Sequence, residues 1–350
     1  MKSKRIYFID NLRWICVWLV VLFHVIDIFN STGVPIHYNA PGIPQLDLIG
    51  YFVYPWFMAL LFILAGISAK ESLKVRSVRE FAGNRFSQLM VPFIAYMAIF
   101  AIPTSAFCFS VSGGWADFAS VPKGVLVIIM LCVGMGHAWF MLELYAVSAA
   151  FLPFIKLQNK EKFTHLCSSL GLVPILLFAI PLCFAAQVLN VIEVFRNLFY
   201  FLLFLLGFFV FSSEEIQMGL QKYSLPLLIS ALILFIPQAY INFGRGFAVS
   251  AKHPAAIIYG YVMCLALLGM GKKYLSFETP FTHYMAKRSF LIYLFHYLPM
   301  LITAYFTVNF MKLPVILEYT TVFVLSAAES VIISELIYRI TPLRKLFGGR

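Results

Sequence analysis

An arginine and a histidine share one face of an apolar helix near the start of the chain. Arg13 precedes the apolar run 15–23, and His24 follows it, eleven residues after Arg13. Eleven steps of 100° make three turns and about 20°, which places both side chains on one face, about 16 Å apart along the axis. Imidazole suits proton transfer near neutral pH, and a guanidinium binds phosphate through paired hydrogen bonds. Because ionisable groups inside a bilayer are costly, the spacing predicts a buried polar site in which an imidazole lies in line with a guanidinium.

Two carboxylates in apolar helices are candidate partners for the His24 ring. Asp27 follows His24 by one turn, and Glu143 lies about two turns into a later apolar helix. Because an ionisable group inside a bilayer needs a partner, we expect either carboxylate to hold the His24 ring in its useful tautomer. A simpler alternative stays open, in which Arg13 reaches lipid headgroups and His24 hydrogen-bonds a neighbouring helix.

Further polar residues stand at the beginnings of apolar helices. Arg85 starts the third helix, where it acts either as a topogenic charge or as a contact to ligand phosphates. His137 and Trp139 open the fourth helix at its outer end. Tryptophan is common at membrane interfaces, so this placement by itself carries no chemistry.

The ninth helix carries a polar stripe. Ser289, Tyr293 and His296 recur at i, i+4 and i+7, which places them on one face of a continuous helix. Such a stripe either joins helices by hydrogen bonds or lines a substrate site.

The amino-acid composition indicates what class of protein contains these residues. Of the 350 residues, 62% are hydrophobic and 12% are charged, whereas soluble domains carry about 25% charged residues. We predict an all-α polytopic integral membrane protein, formed by a single transmembrane domain over 1–350 without a separate soluble domain. The ten predicted spans are 11–30, 47–69, 87–107, 137–155, 166–189, 193–212, 224–241, 255–271, 288–308 and 314–338. The apolar run 124–135 is too short to span and is predicted as a re-entrant or interfacial segment.

The basic residues orient the spans. With both termini in the cytoplasm, 21 of the 26 lysines and arginines fall on cytoplasmic segments. That bias is typical of membrane topology, so the net charge of +11 indicates no nucleic acid partner. The six cysteines and seven histidines show no metal-ligand spacing, and no metal is expected. We expect a multi-pass protein of the inner (plasma) membrane.

Taken together, the motifs resemble the membrane acyltransferase-3 family, which includes bacterial O-acyltransferases and glucan succinyltransferases. Arg13 and His24 match its Arg-x10-His, and 137–140 is close to its His-Leu-Trp-Phe. The segment 289–296 matches its Ser-x3-Tyr-x2-His, and the segment beginning at Arg85 is a weaker fourth match. The ordered set extends over essentially the whole chain.

The resemblance implies transfer of an acyl group, with acetyl favoured, from cytoplasmic acyl-CoA to a hydroxyl of a cell-envelope glycan or glycolipid. It implies that His24 is catalytic, as general base or as an acyl-carrying relay, and that Arg13 is essential. Arg13 and Arg85 are then expected to bind the phosphates of the donor. The residues expected to contact substrate are His137, Trp139, Ser289, Tyr293 and His296. Membrane lipids are further partners, and self-association is left open.

We expect the chain to lack the extracytoplasmic C-terminal domain that larger members of the family carry. That difference favours a small or lipid-linked sugar acceptor, or a separate partner that presents the acceptor. Two other functions stay open. Intramembrane histidine and glutamate also suit a transporter of a glycan-lipid or a proton-coupled solute. An inactive family member that serves as a receptor or assembly partner is the third alternative.

Overall fold

The computed structural model describes residues 5–32, 42–112, 114–190 and 194–348, and in these ranges the regular secondary structure is helical. The prediction of an all-α membrane protein is therefore confirmed. The helices are α1 (Tyr7–Ile28), α2 (Pro44–Leu73), α3 (Val78–Arg85), α4 (Val91–Ser112), α5 (Gly114–Asp117), α6 (Lys123–Met135), α7 (Trp139–Phe151), α8 (Glu161–Ser168), α9 (Leu172–Leu177), α10 (Ala179–Ala185), α11 (Asn197–Phe209), α12 (Glu214–Lys222), α13 (Ser224–Asn242), α14 (Phe247–Ser250), α15 (Pro254–Tyr274), α16 (Pro280–Phe295), α17 (Tyr297–Phe306), α18 (Val315–Arg339) and α19 (Thr341–Leu346).

Seven helical stretches in the described ranges are long and apolar enough to cross a bilayer, and three bent helix pairs raise the number to ten. The bent pairs are Glu161–Ser168 with Leu172–Ala185 at 95°, Asn197–Phe209 with Glu214–Lys222 at 103°, and Pro280–Phe295 with Tyr297–Met311 at 58°. These pairs coincide with the fifth, sixth and ninth predicted spans. The side of the membrane on which the termini lie stays a prediction.

The fourth span begins earlier than predicted. The apolar run expected to be a separate short segment is α6, and a 3₁₀ turn over Gly136–Ala138 joins it to α7 within one apolar helical stretch, Lys123–Asn159. The joint needs glycine, because Gly136 has φ +42°, a backbone conformation that other L-residues rarely adopt. His137 therefore lies inside this stretch, and its predicted place at the outer end of a helix is wrong.

The ninth span is broken at His296. Pro299 has no backbone N–H, and its ring crowds the carbonyl of the residue four positions earlier, Phe295, where α16 ends. A new helix, α17, then begins at Tyr297, with Pro299 in its first turn, where a missing N–H costs no hydrogen bond. The predicted continuous helix through Ser289, Tyr293 and His296 is thus wrong at its last member, which lies in the bend.

The chain divides into two compact units. The first unit comprises Met1–Cys16, Tyr51–Arg85 and Glu143–His283, and the second comprises Val17–Gly50, Phe86–Leu142 and Tyr284–Arg350. Since boundaries fall within α1, α2, α7 and α16, single helices contribute residues to both units.

Glycines bring helix backbones together in the first unit. A Cβ atom on Gly66 of α2 would lie 2.2 Å from the Phe204 carbonyl oxygen of α11. In return, a Cβ atom on Gly207 of α11 would lie 2.2 Å from the Ile63 carbonyl oxygen of α2. Small residues commonly allow such close packing between membrane helices. This packing fixes the turn of α2 against which two arginines lie.

A similar contact joins α4 and α6 in the second unit. A Cβ atom on Gly134 would lie 1.8 Å from the Ala101 carbonyl oxygen. The close approach anchors the C-terminal end of α6, immediately before the 3₁₀ turn that carries His137.

Candidate functional site

Among the described residues, no group forms a hydrogen bond with His24 Nε2, so one imidazole nitrogen of His24 is free. Its Nδ1 lies 2.8 Å from the Val20 carbonyl oxygen, one turn earlier on α1. Because a carbonyl only accepts hydrogen bonds, we assign the proton to Nδ1 and the lone pair to Nε2. A backbone carbonyl thus sets the tautomer, where the sequence had suggested Asp27 or Glu143. Within the described ranges Asp27 forms no ion pair with His24, whose side chain is half-buried.

The other two histidines of the predicted motifs are fixed by the end of α16. The last carbonyls of a helix have no intrahelical partner. Here the Leu294 carbonyl lies 3.0 Å from His137 Nε2, and the Tyr293 carbonyl lies 2.7 Å from His296 Nδ1. The break caused by Pro299 therefore supplies an acceptor to each buried imidazole.

His24, His137 and His296 form a histidine cluster in the second unit. Their ring centroids are 5.0 Å apart for His24 and His296, 4.7 Å for His137 and His296, and 6.3 Å for His24 and His137. The Tyr297 ring lies 5.2 Å from both His24 and His137. His137 and His296 are 3% and 0% exposed, so half-buried His24 is the most exposed member of the cluster.

Tyr293, the tyrosine of the Ser-x3-Tyr-x2-His motif, links α16 to the segment that carries His137. Tyr293 Oη donates a 2.5 Å hydrogen bond to the His137 carbonyl. Phe140 lies against the same tyrosine, with ring centroids 5.9 Å apart, and Trp139 is buried with its ring edge-on to Phe140. Ser289 is half-buried on α16, one turn before Tyr293. Three motifs that are distant in sequence are thus brought together.

Arg13 belongs to the first unit, where it is held against α2. Its Nη1 donates to Asp10 Oδ1 at 3.0 Å. Its Nη2 donates to the Ser68 hydroxyl and, at 3.4 Å, to the Leu64 carbonyl. The guanidinium is therefore fixed by one carboxylate and one turn of α2, and it remains half-buried.

Arg85 reaches the same turn of α2. Its Nη2 lies 3.5 Å from the Ala65 carbonyl oxygen, and its guanidinium lies over the Phe81 ring at 5.2 Å. Ala65 falls between Leu64 and Ser68, the two residues that Arg13 contacts. The two predicted phosphate ligands thus lie against one turn of α2 within the first unit.

A charged network extends from Asp10 to the segment that precedes α16. Arg5 donates to Asp10 Oδ2 at 2.7 Å and to Glu278 Oε1 at 2.6 Å. His283 Nδ1 lies 2.7 Å from the same Glu278 oxygen. The hydrogen bond from His283 and the positive charge of Arg5 together hold the pKa of Glu278 below its ordinary value. Asp10 is thereby shared by two arginines.

Glu143 lies in a different environment from the predicted one. It is 1% exposed in the first unit, and its Oε2 accepts a 2.6 Å hydrogen bond from Asn197 Nδ2. Asn197 is the first residue of α11, so the pair joins α7 to α11.

Asp27 is half-buried and lies near the buried carboxylate of Asp47. The Ser31 hydroxyl donates to Asp47 Oδ2 at 2.5 Å. In the connection between α1 and α2, residues 33–41 lie outside the described residues.

Two polar partners were not predicted from the sequence. Ser68 orients Arg13, and Asn197 pairs with Glu143. Ser68 was detectable as a polar residue inside the apolar span α2. Asn197 gave a similar signal, since it is the polar residue that opens the apolar helix α11.

The described ranges contain no group of three or more His, Cys, Asp or Glu side chains with metal-binding geometry.

A family model described as an acyltransferase domain, from the acyltransferase-3 family, matches residues 6–335. No curated protein matches the chain, and no solved structure does. The match includes every motif that contributes to the histidine cluster and to the arginine pair.

Proposed function

The chain belongs to the acyltransferase-3 family and is a membrane acyltransferase, and we propose that it moves an acyl group, with acetyl favoured, from acyl-CoA to a hydroxyl of an envelope glycan or glycolipid. The observation that carries the proposal is the free Nε2 of half-buried His24, with its tautomer fixed by the Val20 carbonyl. A base with this geometry meets the main chemical need of O-acyl transfer, which is removal of the hydroxyl proton.

In the proposed reaction, His24 Nε2 takes the proton as the hydroxyl oxygen attacks the thioester carbonyl carbon. The new C–O bond forms, the C–S bond breaks, and the leaving thiolate of coenzyme A takes the proton back from the imidazolium. An ester and free coenzyme A result, and His24 returns to its neutral form. A positioned general base of this kind contributes about 10²–10⁴-fold to the rate.

A covalent relay is the second route for the same residue. His24 Nε2 would attack the thioester itself, carry the acyl group, and pass it to the hydroxyl in a second step. The half-buried ring has the exposure that either route needs.

We propose that Arg13 and Arg85 bind the phosphates of acyl-CoA at the cytoplasmic side. Both guanidiniums lie against the 64–68 turn of α2. Arg13 and His24 share helix α1, and eleven residues of helix extend about 16 Å. An extended pantetheine arm along α1 would carry the thioester over that distance.

The acceptor is proposed to be a small or lipid-linked sugar, and the site of action the inner (plasma) membrane. Gene deletion followed by mass spectrometry of envelope glycans tests this assignment. We expect one ester class to disappear and to return with the wild-type gene or with His165→Ala. His165 lies on the exposed helix α8, so this variant is a control for a histidine change away from the cluster. Return of the ester with His24→Ala would contradict the proposal.

Purified protein with radiolabelled acetyl-CoA separates the two routes and the competing transporter function. The relay predicts label on the wild-type protein that is absent from His24→Ala, whereas direct transfer predicts no labelled protein and full dependence on the acceptor. Solute movement across sealed vesicles without acyl transfer would support a transporter instead.

A further inference from the structure

His296 directs an unprotonated ring nitrogen, Nε2, toward His24, the proposed catalytic residue. It lies in the bend between α16 and α17 and is 0% exposed. Its Nδ1 is 2.7 Å from the Tyr293 carbonyl oxygen, which only accepts, so Nδ1 of the neutral ring carries the proton. His296 Nε2 is therefore unprotonated.

That nitrogen lies 3.3 Å from His24 Nδ1. One proton lies between the two atoms, and it belongs to His24, since His24 Nδ1 also donates to the Val20 carbonyl. The two tautomers are consistent with each other: His24 donates a shared hydrogen bond, and His296 accepts one branch of it. No other assignment of neutral rings gives both backbone carbonyls a donor.

We propose that His296 is a positioning residue for His24, with its Nε2 accepting from His24 Nδ1–H to orient the ring and to stabilise the imidazolium formed during transfer. This inference rests on the proposed role of His24. The carboxylate of a Ser-His-Asp triad occupies the corresponding place beside its histidine. A neutral imidazole performs the task without placing a second charge inside the membrane, where an unpaired charge is costly.

His137, the third member of the histidine cluster, does not take this role. His137 directs Nε2 to the Leu294 carbonyl, and its ring centroid is 6.3 Å from that of His24, too far for a direct hydrogen bond between facing nitrogens. Among the described residues of the second unit, the other titratable groups near His24 are Tyr297 and, on its own helix, Asp27. Tyr293 faces His296, with ring centroids 6.2 Å apart.

Loss of the acceptor should make the His24 imidazolium less stable. The charged form then requires a lower pH, so the midpoint of His24 protonation should fall in His296→Ala. A hydrogen bond from a charged donor is strong enough to move the midpoint by about one pH unit, a tenfold change. His296→Gln keeps an acceptor near the position of Nε2, and we expect it to recover at least half of the shift.

The test is carbethoxylation of His24 by diethyl pyrocarbonate as a function of pH, followed by peptide mass spectrometry on the full-length protein in detergent. The reagent modifies neutral imidazole, so the rate reports protonation without any turnover. A lower midpoint in His296→Ala, restored towards wild type in His296→Gln, supports the proposal. Equal midpoints in all three proteins would overturn it. If His296→Ala does not fold, the comparison of His296→Gln with His296→Asn, whose shorter side chain withdraws the acceptor, gives the same decision.

Acyl transfer by the same proteins provides the second readout. The acidic limb of the kcat/KM profile reports the essential base of the free enzyme, and it should move with the carbethoxylation midpoint. A purely structural role for His296 would lower the rate at every pH and leave the limb in place. If no protein transfers acyl groups, the proposed function fails, while the carbethoxylation midpoint still decides whether the two histidines are coupled.

Discussion

Ser68→Ala tests whether the placement of Arg13 matters for donor binding. Ser68 Oγ accepts from Arg13 Nη2 and donates to the Leu64 carbonyl at 2.7 Å, so it holds the guanidinium against α2. Removing the hydroxyl leaves Nη2 with the longer 3.4 Å contact to Leu64. Asp10 still holds Nη1, so the charge stays in place while the orientation loosens.

The magnitude follows from the kind of bond that is lost. Hydrogen bonds to charged groups contribute about 1.5–3 kcal/mol, and the remaining Leu64 contact retains part of that. A net loss of about 1.4 kcal/mol corresponds to a tenfold change in an equilibrium constant. Because the loosened guanidinium must be ordered again to bind phosphates that do not react, a cost of this size should appear as a tenfold rise in KM for acyl-CoA with kcat unchanged.

Initial rates at varied acyl-CoA and saturating acceptor measure both constants. Ser72→Ala is the matched control, since Ser72 lies one turn further along α2 and accepts a 2.8 Å hydrogen bond from exposed Arg76. We expect that control to match wild type, because exposed contacts of this kind contribute little. Equal KM values in the Ser68 and Ser72 variants would refute the reasoning, as would a fall in kcat with KM unchanged.

Two further predictions concern packing and the buried carboxyl. Gly134→Ala should destabilise the protein by about 1–3 kcal/mol, because its Cβ would meet the Ala101 carbonyl; thermal melting in detergent measures this. Gly124→Ala in the same helix has nothing within 4 Å of the new Cβ and should melt no lower than wild type, so equal melting of the two variants would contradict the packing argument. Glu143→Gln should keep transferase activity because the amide oxygen still accepts from Asn197, whereas Glu143→Ala should lose about 1–3 kcal/mol of stability. An inactive but stable Glu143→Gln would instead identify that carboxylate as a proton-transfer group.

The positions of the spans could be predicted from sequence because hydropathy and basic residues constrain them independently. The bends could not be predicted in the same way, since a bent pair has the same composition as a straight helix. Pro299 carried the missing information for the ninth span. Proline also occurs inside α2 and α4, which pass through Pro55 and Pro103 without a break of this size, so the residue alone does not identify the site of a bend.

In the candidate site, too, one feature could be predicted from the sequence and another could not. The Arg13–His24 spacing is a local property of one helix, and α1 retains it. The identity of the partners is not local: Ser68, Asn197 and the Val20 carbonyl each became partners through packing or backbone geometry. Every residue carries the same backbone carbonyl, so the sequence does not indicate which carbonyl will accept a hydrogen bond from His24. Carboxylate side chains are visible in the sequence and were therefore the predicted partners.

The break at Pro299 connects the fold to the chemistry. In a straight ninth helix the Tyr293 and Leu294 carbonyls would each already accept a backbone hydrogen bond within the helix. With α16 ending at Phe295, both carbonyls are available, and each selects one tautomer of one imidazole. The tautomer of His296 in turn directs a lone pair at His24. Backbone acceptors thus arrange the three imidazole rings, and the proposed transfer then places a positive charge on His24 that His296 stabilises.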